Sequence, residues 1–125
     1  MSLSPLRIVS LVLLTAVVSS GITVAIQEQR SRREPQFENE HVKVWKSIIL
    51  PDQPLRLHRH DHGRALIALK GGTLKVINEA GDTVDTYEWE DGKAYWLDAD
   101  PPDQLHGDLN EGPDTMEVIV VELQK

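Results

Sequence analysis

Leu57-His58-Arg59-His60-Asp61-His62-Gly63-Arg64, followed by Gly71, is the stretch on which the reading of this chain turns. Three of the five histidines stand here at every second position. Side chains alternate faces along an extended strand, so His58 and His60, with His62 if the strand continues, project from one side. Two imidazoles on one face are neutral nitrogen donors suited to one transition metal ion. They are equally what a solvated polar strand would carry, because short histidine motifs recur by chance. His106, within Leu105-His106-Gly107-Asp108-Leu109-Asn110, is distant in sequence but sits beside another extended segment, where it could supply a third ligand.

The spacing resembles a known family. His58-x-His60, then position 64, then Gly71, is similar to the first motif of the cupins, and Pro101 with His106-x-x-x-Asn110 is similar to the second. The resemblance spans residues 37–125 and implies an all-β jelly-roll barrel of the single-domain kind. It also implies a divalent transition metal (iron, manganese, nickel, copper or zinc) held by His58, His60 and His106, and a small-molecule ligand in the barrel. The chain departs from the pattern at several places. Asp52 and Asp103 stand where the family has glycine, and Asp tolerates the turn conformations for which Gly is used. Gly92 best matches the second motif's glycine, with about three extra residues before Pro101. At the fourth-ligand position, where the family has Glu, this chain has Arg64, whose guanidinium cannot ligate a cation.

Length and composition allow one domain with a sizeable core and exclude several functions. The 125 residues are too few for two ordinary domains, and Val, Ile and Leu in short runs suit a small all-β fold. There is no Cys, so neither a disulfide framework nor a thiolate metal site is available. The formal net charge of −7 conceals an asymmetry, because four arginines precede residue 35 and the remainder is more acidic still. An acidic domain without a basic patch is a poor partner for nucleic acid.

Residues 8–26 form an apolar run interrupted only by Ser, Thr and Gly, long enough to cross a bilayer core of about 30 Å. Residues 1–27 are therefore read as a signal peptide or membrane anchor, a hydrophobic helix outside the soluble fold. Arg30, Arg32 and Arg33 after the run outnumber Arg7 before it, a bias that favours cytoplasmic retention. A short run at the extreme N-terminus with a basic start is the layout of a signal, so export is expected, to the periplasm or to a membrane-anchored position outside the cytoplasm. Residues 28–36 are polar and read as a linker, and 37–125 as the barrel domain. A homodimer is expected, as for many cupins.

Within the domain, short apolar segments alternate with turn signals, and no helical period is evident. Strands are expected over 42–50, 55–58, 65–69, 73–77, 83–89, 93–97 and 116–123, the last buried on both faces. Lys70-Gly71-Gly72 reads as a tight hairpin and 78–82 as a second turn. Trp45, Trp89, Trp96, Tyr87 and Tyr95 read as core and rim.

Three imidazoles, with His106 facing the pair from the opposing sheet, leave coordination positions open, which suits catalysis or ligand exchange rather than a closed structural site. Neutral ligands leave the ion its full charge and favour an anionic ligand. Arg64 has three readings: a clamp for a ligand carboxylate or phosphate, an ion-pair partner of an Asp, or the mark of a lost metal. His62 is a substitute ligand, a nearby acid or base, or loop, and is grouped with Arg64 as a candidate ligand-binding residue. Asp61, Asp98, Asp100 and Asp103 are candidates to orient imidazoles. If the protein is an enzyme, dioxygenase, lyase and isomerase chemistry are open. The rival expectations are a non-catalytic ligand-binding or sensing module and a dimeric interaction module.

Overall fold

The structure, a computed structural model, describes residues 30–125. The segment read as signal or anchor lies outside the described residues. Met1–Arg30 and Ser31–Lys125 separate as two units.

The second unit carries eight strands: β1 (Arg32–Glu38), β2 (Val42–Ile49), β3 (Arg64–Lys70), β4 (Gly72–Ile77), β5 (Thr83–Trp89), β6 (Ala94–Leu97), β7 (Gly107–Leu109) and β8 (Met116–Leu123). Among the described residues there is no helix. Five strands form one sheet in the order β1-β2-β8-β3-β6, and three form another in the order β5-β4-β7. Every pairing between these strands is antiparallel.

The core lies between the two sheets and follows from period-two patterning. Trp45 and Ile49 of β2, Leu66 and Ala68 of β3, and Met116, Val118 and Val120 of β8 are buried on one side. Leu55, Leu74 of β4 and Trp89 of β5 complete the same cluster. Polar residues continue two of these inward rows toward one end of the barrel. Arg64 precedes Leu66 by two on β3, Glu122 follows Val120 by two on β8, and the two are directly paired across the strands. That continuation builds the site.

Four expectations are corrected. The segment read as a linker, 28–36, contains most of β1, which pairs with β2 from Arg32 to Glu38. Its residues are almost all exposed, because an edge strand of this kind needs no apolar alternation, and Pro35 sits at the register shift where such a strand tolerates it. Lys70-Gly71-Gly72 is not a hairpin: β3 and β4 belong to different sheets, and the chain crosses between them here. Glycine is required because a Cβ at Gly71 would lie 2.0 Å from the Trp89 carbonyl oxygen. β8 lies between β2 and β3 with one face fully buried and the other half-covered, rather than buried on both. Residues 55–58 form no regular strand; they are extended and bonded at intervals to the 106–108 segment.

The glycine substitutions behave as expected. Asp52 has φ 57° and Asp103 φ 63°, the left-handed region that Asp enters more readily than most residues. Gly92, matched to the second motif, also has positive φ, at 78°.

Candidate functional site

His58 and His106 face each other across an antiparallel bridge closed by two backbone hydrogen bonds, His58 N–H to His106 O at 2.8 Å and His106 N–H to His58 O at 2.9 Å. His106 is therefore the direct cross-chain neighbour of His58 and not a residue of an opposing sheet. His60 is fixed by a reciprocal pair with Asp100: its own N–H donates to Asp100 Oδ2 at 2.7 Å, and Asp100 N–H donates to the His60 carbonyl at 2.8 Å. These contacts bring the three rings together with centroids 4.4 to 5.5 Å apart. The His60 ring also stacks on Trp45, 5.9 Å between centroids and 4° from parallel.

Each imidazole is held through Nδ1. His58 Nδ1 lies 2.6 Å from the Arg56 carbonyl oxygen, His60 Nδ1 2.7 Å from Glu122 Oε1, and His106 Nδ1 3.1 Å from Asp100 Oδ2. All three partners are acceptors, an arrangement that in a neutral ring places the proton on Nδ1 and the lone pair on Nε2. His58 Nε2 is buried and has no hydrogen-bond partner. Burial pushes the pKa of His58 from 6.5 down to about 4, although Asp108 pulls it upward. Burial also lowers that of His106, against the pull of Asp108 and Asp100. Neutral rings with bare Nε2 atoms are the form that binds a metal.

The three histidines fit a transition metal. One ring nitrogen from each lies within 4.8 Å of the others. Two donors at about 2.1 Å from one ion stand about 3.4 Å apart at the tetrahedral angle, so a pair at the 4.8 Å limit would close by about 1.4 Å on binding. The orphaned Nε2 of His58 is the stronger argument. A buried polar atom without a partner is costly, and an ion would satisfy it.

Arg64 is buried, and its guanidinium donates to the Asp98 carbonyl oxygen at 3.0 Å and approaches Asp100 at 3.9 Å. It also lines a cavity of about 60 Å³ inside the barrel, together with Arg33, Trp45, His60, His106 and Asp108. Of its three readings, the ion pair with an Asp is the contact the fold makes. His62 is exposed in a bend and lines neither this cavity nor the neighbouring groove, so it is separate from the cluster. Of the four aspartates considered as orienting groups, Asp100 does hold His106. Asp98 accepts from Trp96 Nε1 at 2.9 Å, and Asp61 pairs with Arg59.

Three contributors were not singled out by sequence. Asp108 carries its carboxylate 3.5 Å from His58 Nε2 and 3.7 Å from His106 Nε2. The parity that joins His58 to His60 also joins His106 to Asp108, and it would have found this residue. Glu122 is a lone acid at inward parity in an apolar strand, the same kind of signal. Arg33 is exposed at the cavity rim, paired in register with inward-facing Ser47, and its guanidinium lies 4.7 Å from the Trp45 ring centroid. Its strand lies mostly in the segment that the sequence reads as a linker. The second-motif asparagine, Asn110, is no ligand. Its amide donates to Ile49 O at 3.0 Å and Asp114 O at 2.7 Å, tying the loop behind β7.

An open groove of about 650 Å³ adjoins the cavity and shares Val76, Tyr87, Asp100 and His106 with it. A ligand can thus reach the His106 imidazole from outside.

No family model matches the chain, and no curated protein matches it. Solved structures do. A cupin domain from Bordetella pertussis Tohama I is 20% identical over 77% of this chain and 95% of its own, with a TM-score of 0.65. An RmlC-like cupin with a double-stranded β-helix fold from Methanocaldococcus jannaschii is 18% identical over 76% of this chain and 81% of its own, with a TM-score of 0.56. The polyketide cyclase RemF from Streptomyces resistomycificus is 14% identical over 78% of this chain and 67% of its own, at a TM-score of 0.54. The strands of Ser31–Lys125 form a single-domain double-stranded β-helix, the fold of the cupin superfamily.

Proposed function

We propose that the protein binds a divalent transition metal through Nε2 of His58, His60 and His106, and with it a small anionic molecule in the barrel. The observation that carries this reading is the gathering of one ring nitrogen from each histidine within 4.8 Å of the others, with His58 Nε2 buried and unpartnered and each Nδ1 set against an acceptor. When bound, a divalent ion supplies Lewis acidity and positive charge to a ligand oxygen.

The chain's own residues set the electrostatics. Arg33 and Arg64 face Asp100, Asp108 and Glu122 around the cavity, one net negative charge when all are ionised. A divalent ion reverses that sign, so anion binding depends on the metal. Trp45, Leu66, Val118 and Val120 wall the cavity with apolar surface and strengthen these charges by excluding water. Arg33, at the rim and without a hydrogen-bonded or ion-paired partner among the described residues, is the group with which an entering carboxylate pairs. Arg64 holds Asp100, and through it His106.

The reaction class stays within the range the fold carries, dioxygenase, lyase or isomerase, and a polyketide cyclase among the neighbours fits that breadth. A second reading, a non-catalytic binding or sensing module, is favoured by Asp100 and Glu122 being engaged with imidazoles rather than free for proton transfer.

The test is calorimetry with oxalate, a small dianionic probe, on metal-loaded and chelator-stripped protein. Binding to the loaded form alone supports the reading. Equal binding to both forms, or to neither, contradicts it.

A further inference from the structure

Asp108 and the two imidazoles beside it form an arrangement that is unfavourable as it stands. His58 Nδ1 is hydrogen-bonded to a carbonyl oxygen and His106 Nδ1 lies 3.1 Å from a carboxylate oxygen, so in the neutral rings both Nε2 atoms present lone pairs. The Asp108 carboxylate turns one oxygen toward each: Oδ2 is 3.5 Å from His58 Nε2, and Oδ1 is 3.7 Å from His106 Nε2. Lone pair faces lone pair, twice. The distances are long for a hydrogen bond, and His58 Nε2 indeed has none.

A shared cation resolves the arrangement. Donors at about 2.1 Å from one ion stand about 3.0 Å apart at a right angle and about 3.4 Å apart at the tetrahedral angle, close to the two separations seen here, and a five- or six-coordinate ion would keep a position open for the ligand proposed above. The Asp108 side chain is 16% exposed, so water satisfies it only in part. The usual carboxylate position of the fold is closed to this role, because Arg64 occupies it and is drawn toward Asp98 and Asp100.

We infer that Asp108 is a fourth protein ligand, so that this chain completes its metal site from the His106-x-Asp108 segment rather than from position 64. The inference rests on the three-histidine reading above and deepens it. A ligand set of three imidazoles and one carboxylate lowers the net charge of the bound ion by one and favours hard divalent ions more than three imidazoles alone. Parity supports the geometry: β7 is extended, so residues 106 and 108 leave it on the same side.

The experiment uses the full-length protein and Co(II), whose visible absorption reports its ligands. Wild type, Asp108→Asn, His60→Ala and the surface control Asp61→Asn are titrated with Co(II), in competition with a chromophoric chelator. The expected result is at least about a tenfold loss of affinity and an altered spectrum in Asp108→Asn, with Asp61→Asn unchanged. Thermal unfolding of the metal-free forms gives a second readout. Metal-free Asp108→Asn should be as stable as wild type or more so, because an amide can donate to a bare Nε2, while its stabilisation by Co(II) shrinks. If wild type binds Co(II), His60→Ala loses it and Asp108→Asn matches wild type in affinity and spectrum, the Asp108 assignment is overturned and the three-histidine site stands. If wild type does not bind Co(II), both fall. A metal-free Asp108→Asn less stable than wild type, with Co(II) affinity retained, also overturns the assignment, since Asp108 would then be a structural acceptor.

Discussion

Glu122 and His60 meet at 2.7 Å, carboxylate to Nδ1, although 62 residues separate them in sequence. The contact exists because β8 lies beside β3 and its inward row continues past Val120 to an acid. It fixes which nitrogen of His60 is bare. Glu122→Ala should free the ring and lower divalent-metal affinity by about 10–100-fold. Glu122→Gln, whose amide oxygen still accepts from Nδ1, should lose less. Chelator competition reads both, and equal affinities for the three proteins would show that Glu122 does not orient His60.

At position 64 the family pattern invites Arg64→Glu as a repair of the ligand set. The structure predicts the opposite. Arg64 is buried between Asp100 and the Asp98 carbonyl, and Glu122 is its partner across the strands. A carboxylate there would be buried among acids, with a cost on the order of 3 kcal/mol. Denaturant unfolding should show the loss, and metal retention should fall rather than rise. Tighter retention in Arg64→Glu would contradict the assigned contacts.

The pH dependence has a defined sign. Burial holds His58 neutral in the fold, with its pKa lowered from 6.5 to about 4, so the unfolded chain takes the proton first. This contribution to stability is fully present above about pH 6.5 and is lost as pH falls toward about 4. His106 shifts in the same direction and adds to the same loss. Urea unfolding of metal-free protein between about pH 7.5 and pH 4 should show it, and His58→Gln should flatten the profile. A wild-type profile as flat as the variant's would mean that the pKa of His58 does not change on folding.

Truncation distinguishes the sequence boundary from the structural one. Removing residues 1–30 leaves β1 intact, whereas removing 1–36 strips most of its pairing to β2 together with Arg33. The shorter cut should leave cooperative unfolding unchanged. The longer cut should lower the melting temperature and expose the β2 edge to association, visible by light scattering. Identical behaviour of the two would show that β1 adds nothing.

Much of this architecture was legible because it is written in period two. The inner rows of β2, β3 and β8 alternate, and the same parity placed His58 beside His60. The positive φ of Asp52 and Asp103 could be expected because the positions suited glycine and Asp is a tolerated replacement. What escaped has physical reasons. β1 is an exposed edge strand, so burial imposed no pattern on it, and Arg33 was hidden with it. The glycine pair at 71–72 permits either a hairpin or a crossing, and the choice is made by the approach of the Trp89 carbonyl, which local sequence does not contain. Arg64 offered three roles because its partners come from 98–100, a distant loop. His62 shares the parity of His58 and His60, but the chain bends before it and turns it to solvent.

The central claim is that His58, His60 and His106 hold one metal ion. Elemental analysis of the full-length protein, after equilibration with a mixture of divalent manganese, cobalt, nickel and zinc and removal of loosely bound ions, tests it most directly. The account predicts about one ion per chain in wild type and in His62→Ala, and almost none in His60→Ala. A wild-type protein that retains no ion, or a His60→Ala variant that retains as much as wild type, would contradict it.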